Sequence, residues 1–141
     1  MQRVRRKIAD ALEINISSAQ VINFLVEDLL DLAQLKQGKF RLVHTTFEVG
    51  EPINEIIKVL RQKASYKHID ISCMFEEGLD GSKHIRTDQR RLMQVMLNLV
   101  SNAVKFTPQN GQIDISVQVL GADESLEISV RDNGTGIRAE D

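Results

Sequence analysis

The sequence has one cysteine, two prolines and no long apolar run, and each shortage excludes something. Cys73 alone can form no internal disulfide and no cysteine metal cluster. Its neighbours Ile69, Ile71 and Phe75 alternate with polar residues, which suits a buried structural thiol. No stretch of 18 or more apolar residues occurs, so no transmembrane helix is expected. The basic start (Arg3, Arg5, Arg6, Lys7) is followed by Asp10, Glu13 and Asn15, not by the apolar core of a signal peptide. These absences suit a cytoplasmic domain and say nothing of a membrane anchor elsewhere in a parent protein. The formal net charge of -2 gives no pull toward nucleic acid or an anionic membrane.

Residues 3–37 lack both Pro and Gly and read as one long helix. Ile8, Ala11, Ile22, Leu25, Leu29 and Leu32 fall at alternating three- and four-residue steps, the spacing of a coiled-coil seam. Asn15 and Ser18 interrupt the seam, while Ala19, Val26 and Ala33 widen the stripe toward the width a four-helix bundle uses. Gly38 is placed to end the helix with a left-handed residue. Such a helix cannot bury its own face, and each exposed Leu forgoes about 1.5–3 kcal/mol. A second copy of the chain or a preceding helix must cover it.

After Gly38 the periodicity changes. Phe40 and Leu42 open a short extended stretch, and Phe47 and Val49 a second. Pro52 marks a helix start, with Ile53, Ile56, Ile57 and Leu60 at helical spacing. Residues 69–75 alternate as a strand, and Gly78, Asp80 and Gly81 make a turn. Thr87 or Asp88 caps a helix that runs to about Phe106 and stops at Pro108. Asn110-Gly111 is a tight-turn pair, and Gly121 to Glu124 a turn between two alternating strands (Ile113, Ile115, Val117, Val119, then Leu126, Ile128, Val130). The class is therefore α+β: a long helix over residues 1–38, then an α/β sandwich over residues 39–141.

Residues 92–106 are the most informative stretch. Leu92, Met93, Val95, Met96, Leu97, Leu99, Val100, Ala103, Val104 and Phe106 cover one broad side of a helix. Gln94, Asn98, Ser101, Asn102 and Lys105 fill the opposite arc. An ordinary solvent face is rich in Glu, Lys, Arg or Ala, whereas Asn is a poor helix former. Asn98 and Asn102 stand four apart and stack on one face, where their oxygens can meet a hard cation. Mg²⁺ takes one or two protein ligands and completes its shell with water and phosphate oxygens. Lys105 follows, suited to a phosphate. The residues alone leave a bland polar face open. The run Asp132-Asn133-Gly134-Thr135-Gly136-Ile137 follows a strand, with two glycines able to bring backbone close to a ligand and a carboxylate able to accept from an amino group. A plain Asp/Asn-Gly turn would read the same way.

Together these segments resemble the sensor histidine kinases. "TDQRRLMQVMLNLVSNAVKFTPQNGQI" is similar to the N box of their GHKL-type ATP-binding domain, and "VRDNGTGI" to its first glycine box. "VEDLLDLAQLKQGKFRL" resembles the end of their second dimerisation helix, and "FEV" and "ASYKHIDI" the first strand and first helix end of the ATP-binding domain. The resemblance implies ATP and Mg²⁺ as cofactors. Asn102 would bind Mg²⁺, with Asn98 beside it and Lys105 on a phosphate. Phe106 would line the adenine side, and Asp132 would accept the adenine amino group between walls shaped by Gly134 and Gly136. It also implies a homodimer through the N-terminal helix and a response-regulator receiver domain as partner. His44, His68 and His84 lack the setting of the family's phosphoacceptor, so no catalytic histidine is expected here. The family's ATP lid and second glycine box are not among these residues, so the stretch by itself is expected to bind ATP weakly and not to phosphorylate itself. Two other readings compete: an ATP hydrolase of the same superfamily, and a non-catalytic dimerisation module. The hydrolases carry a water-activating Glu where Asn98 stands, and an amide is no base at neutral pH.

Overall fold

A computed structural model describes residues 2–121 and 125–136. The elements in order are α1 (Gln2–Lys36), β1 (Thr45–Glu48), α2 (Gly50–Tyr66), β2 (Asp70–Phe75), β3 (His84–Thr87), α3 (Gln89–Phe106), β4 (Gln112–Leu120) and β5 (Ser125–Asp132). They form two compact units, Met1–Leu42 and Val43–Asp141.

The first unit is essentially α1. Gly38 ends it at φ +66°, and the amides of Gly38 and Lys39 reach back to the carbonyls of Leu35 and Gln34. Ile8, Ile22, Val26, Leu29 and Leu32 are all exposed, so these seam side chains stand uncovered among the described residues. Asn15, Ala19 and Ala33 are exposed as well. The side chains of Ala11, Ser18 and Leu25, and of the basic residues Arg3, Arg5, Arg6 and Lys7, lie outside the described set. No helix among the described residues is long and apolar enough to cross a membrane.

The second unit is a mixed α/β sandwich. Its main sheet has the order β2-β4-β5, with β2 parallel to β4 and β5 antiparallel to β4. The parallel pair requires a crossover, which β3 and α3 supply. Helices α2 and α3 cover one sheet face. Ile53, Ile56 and Leu60 of α2, Met96 and Val100 of α3, and Ile115 and Val117 of β4 form one buried cluster. Ala64, Ile69, Ala103, Val104 and Ile113 continue it. The period of two sends Asp114, Ser116 and Gln118 to the other, partly wet face. Cys73 is half-buried against the first cluster, and desolvation raises its thiol pKa.

Two expectations change. Phe40 and Leu42 lie in irregular chain, and extended structure begins only at Thr45. The partner of that strand is β3, where the sequence shows only chain beyond the turn at residues 78–81. Thr45 pairs with Thr87 and Glu48 with His84 in a separate two-stranded sheet. A four-residue strand is too short to show a period, so only the pairing defines it. Residues 122–124 of the expected turn between β4 and β5, and Ile137, lie outside the described residues.

Candidate functional site

Helix α3 carries the site, and both its ends are anchored. Asp88 is its N-cap: one carboxylate oxygen accepts from the Arg91 amide at 3.1 Å, the other from the Val43 amide at 2.8 Å. At the far end α3 stops at Phe106, and Thr107 is already extended, as a residue before proline must be. There the Lys67 ammonium donates to the carbonyls of Val104, Lys105 and Thr107 at 2.9, 2.8 and 3.0 Å.

The broad apolar side of α3 does not all become core. Met96, Val100, Ala103 and Val104 are buried, but Val95, Leu99 and Phe106 are about half exposed, beside the amide stripe. Asn98 and Asn102 are exposed, Ser101 and Gln94 partly so. Asn98, Asn102 and Phe106 succeed one another by fours and share a face. Lys105 is exposed too, its ammonium 4.9 Å from the centre of the Phe106 ring.

Phe106 is where the two sequence motifs meet. Asp132 ends β5, paired with Ile113. Its carboxylate accepts from the Gly134 amide at 2.8 Å, which turns the chain back on itself. A β-carbon at Gly134 would lie 2.8 Å from the Phe106 carbonyl oxygen and 2.6 Å from the Asp132 carboxylate. Gly134 is thus required by space, and Gly136 by its φ of +69°. Asn133 ties the loop down: its side-chain oxygen accepts from the Gln112 amide at 2.9 Å, and its own amide donates to the Gln112 carbonyl.

The structure therefore joins Lys105, Phe106, Asp132 and Gly134 at one helix end, and sets Asn102 and Asn98 one and two turns back along the same helix. An exposed carboxylate beside close backbone, an aromatic face, an ammonium and two neutral amide oxygens suit an adenine nucleotide with its cation. Among the described residues no three His, Cys, Asp or Glu side chains gather as a metal site. His44 is exposed ahead of β1, His84 lies exposed on β3, and His68 follows α2 with a positive φ of 52°. None sits on a helix. The sequence reading assigned no role to Lys67 or Asn133. Their partners lie 37–40 and 21 residues away, and no local spacing signals them.

Comparison with known proteins gives the family and the fold. Residues 87–141 match the family described as histidine kinase-, DNA gyrase B-, and HSP90-like ATPase. The histidine protein kinase DivJ of Caulobacter vibrioides is 34% identical over 83% of this chain and 19% of its own length. The autoinducer 2 sensor kinase/phosphatase LuxQ of Vibrio cholerae is 33% identical over 89% of this chain and 14% of its own. The chain thus spans less than a fifth of these curated relatives. Among solved structures, the catalytic domain of histidine kinase ThkA superposes with a TM-score of 0.61 at 28% identity, covering 70% of this chain and 64% of that one. The full-length kinase ShkA, solved with AMPPNP, gives 0.69 at 27% identity, covering 82% of this chain and 24% of that one. The Acinetobacter baumannii kinase AdeS shares the fold, with a TM-score of 0.71 at 24% identity over 89% of this chain and 60% of that one. The chain belongs to the sensor histidine kinases and carries the ATP-binding fold of that family.

Proposed function

We propose that the second unit binds Mg²⁺·ATP for transfer of the γ-phosphoryl group to a histidine on another segment or chain, and from there to an aspartate of a response-regulator receiver domain. The observation that carries this reading is the abutment of the Asp132–Gly134 turn on the end of α3 at Phe106. Asp132 would accept the adenine amino group, with Gly134 and Gly136 letting the backbone approach the base and Phe106 lining its side. Asn102, with Asn98 beside it, would hold Mg²⁺ through amide oxygens. Held there, Mg²⁺ would supply positive charge against that of the phosphates, and phosphoryl transfer rests largely on such electrostatic stabilisation and positioning. Lys105, free to leave its neighbouring ring, would meet a phosphate.

In this reading residues 1–38 are a dimerisation helix and residues 39–141 the ATP-binding domain of a cytoplasmic kinase region. The uncovered apolar residues of α1 support a homodimer through that helix. A receiver partner is supported by the structural neighbour ThkA, solved in complex with the response regulator TrrA.

Hydrolysis by a GHKL ATPase is the weaker reading, because position 98 is an amide with no basic lone pair for water. Asn98→Glu should raise water-dependent ATP turnover only if hydrolysis is latent in this site. The direct test titrates the chain with a fluorescent ATP analogue, with and without Mg²⁺. Binding should depend on Mg²⁺ and should weaken in both Asp132→Asn and Asn102→Ala. Equal affinity in Asp132→Asn and the unaltered chain would remove the adenine contact and the reading with it.

A further inference from the structure

The three helices end differently. α1 ends on Gly38 in the left-handed region, and α2 on His68 in the same region, the amides of His68 and Ile69 closing on the carbonyls of Ser65 and Ala64. α3 has no left-handed residue at its end. Thr107 is extended at ψ 131°, and Pro108 brings no amide hydrogen. The last carbonyls of α3 therefore need a donor from elsewhere.

Lys67 supplies it. Its three N–H bonds match three carbonyls, those of Val104, Lys105 and Thr107, all within 3.0 Å. The ammonium also sits at the negative end of the helix dipole, where a cation is favoured. The backbone carbonyl of the same residue accepts the Asn110 amide at 2.9 Å, so Lys67 grips the chain on both sides of Pro108. Immobilising a long flexible side chain costs rotamer freedom. Charge-assisted bonds to three carbonyls offset it.

One carbonyl of this turn is left out. Lys67 bonds 104, 105 and 107, and the carbonyl it does not take is Phe106, the one standing against Gly134. The oxygen that Lys67 passes over is the one that stands against the Asp132 turn.

We propose that Lys67 is a positioning residue of the nucleotide site. Through the carbonyls of α3 it holds Phe106 where the Asp132–Gly134 turn can close on it, and so aims the carboxylate that meets the base. This rests on the nucleotide-binding reading, but its first consequence, the placement of Gly134, can be read without any nucleotide.

The test compares Lys67→Met and Lys67→Arg with Ile53→Val, a core change of similar small cost made away from the site. Two quantities are measured on each chain: the ¹⁵N–¹H resonance and hydrogen exchange of Gly134 and Thr107, and affinity for Mg²⁺·ATP. Lys67→Met should move the Gly134 resonance and speed exchange at Thr107, and should weaken Mg²⁺·ATP by about tenfold. Ile53→Val should change stability alone. Lys67→Arg, which keeps the charge and several donors, should recover most of both effects. If Lys67→Met leaves Gly134 where Ile53→Val leaves it, Lys67 is an ordinary helix cap and the proposal fails. Should Lys67→Met not fold, Lys67→Gln takes its place: a single neutral amide group cannot reach three carbonyls, so a Gly134 resonance that stays where Ile53→Val leaves it overturns the proposal. If the unaltered chain binds no Mg²⁺·ATP while Gly134 still responds to Lys67, the nucleotide reading falls and the positioning stands.

Discussion

Gly134 and Phe106 meet backbone to backbone: a β-carbon on the glycine would stand 2.8 Å from the phenylalanine's carbonyl oxygen. This contact joins the strand that ends in Asp132 to the helix that carries Asn98 and Asn102. It also defines the most direct test of the site. Gly134→Ala should push the turn away from α3 and weaken Mg²⁺·ATP by about tenfold or more, since a displacement near 1 Å is that costly in a preorganised site. The melting temperature should change little, because Asp132 and Asn133 are exposed and the buried clusters lie elsewhere. Titration and thermal melting of the same variant separate the two effects.

His68 is a non-glycine residue at φ +52° just past α2. A left-handed backbone costs an L-residue about 1–2 kcal/mol, and glycine returns part of that through its greater freedom when unfolded. His68→Gly should therefore stabilise the chain by about 0.5–1 kcal/mol, read as a higher urea midpoint. A lower midpoint would mean that the imidazole makes a contact worth more than the strain.

Asp88 serves two amides at once, Arg91 in the first turn of α3 and Val43 at the entry to the second unit, and it is buried. Removing a cap of this kind costs about 1 kcal/mol, and stranding a second, partly buried amide adds a similar amount. Asp88→Ala should lower unfolding free energy by about 2 kcal/mol. Asp88→Asn keeps one acceptor oxygen and should lose about half as much. Equal losses would point to the carboxylate charge rather than to its hydrogen bonds.

Asp114, on the wetter sheet face, accepts from the Ser72 hydroxyl at 2.7 Å and from the Gln112 side chain at 2.8 Å. These bonds, the Ser72 one first and then the Gln112 one, hold its carboxyl below the usual carboxylate range, with Arg131 adding attraction. A depressed folded-state pKa stabilises the protein above the ordinary carboxylate pKa and ceases to do so as pH falls through the folded value. Ser72→Ala should raise the Asp114 titration midpoint seen by NMR. It should also cost stability at neutral pH, with the difference from the unaltered chain shrinking in acid. A midpoint that does not move would show that Gln112 and Arg131, not the hydroxyl, set it.

Much of this was legible in the chain itself. The long helix, its end at Gly38, the strand alternation of β4 and β5, and the two motifs that carry the site all depend on neighbours within a few residues. Spacing records those relations directly. Side-chain chemistry marked Asn98, Asn102 and Asp132 as candidates, but a polar helix face and a plain turn read the same way, and the resemblance to the kinase motifs is what singled them out.

The tertiary structure decided what spacing cannot encode. β3 is a strand only because Thr45–Glu48 pairs with it across some forty residues. Val95, Leu99 and Phe106 share the apolar side of α3 but stand exposed, since α2 and the sheet cover only part of that side. No local spacing marks Lys67, yet its ammonium meets three carbonyls at the end of a distant helix. Periodicity reports which face of an element is apolar. Which groups complete the other faces depends on chain returning from far away, and that is settled only when the layers pack.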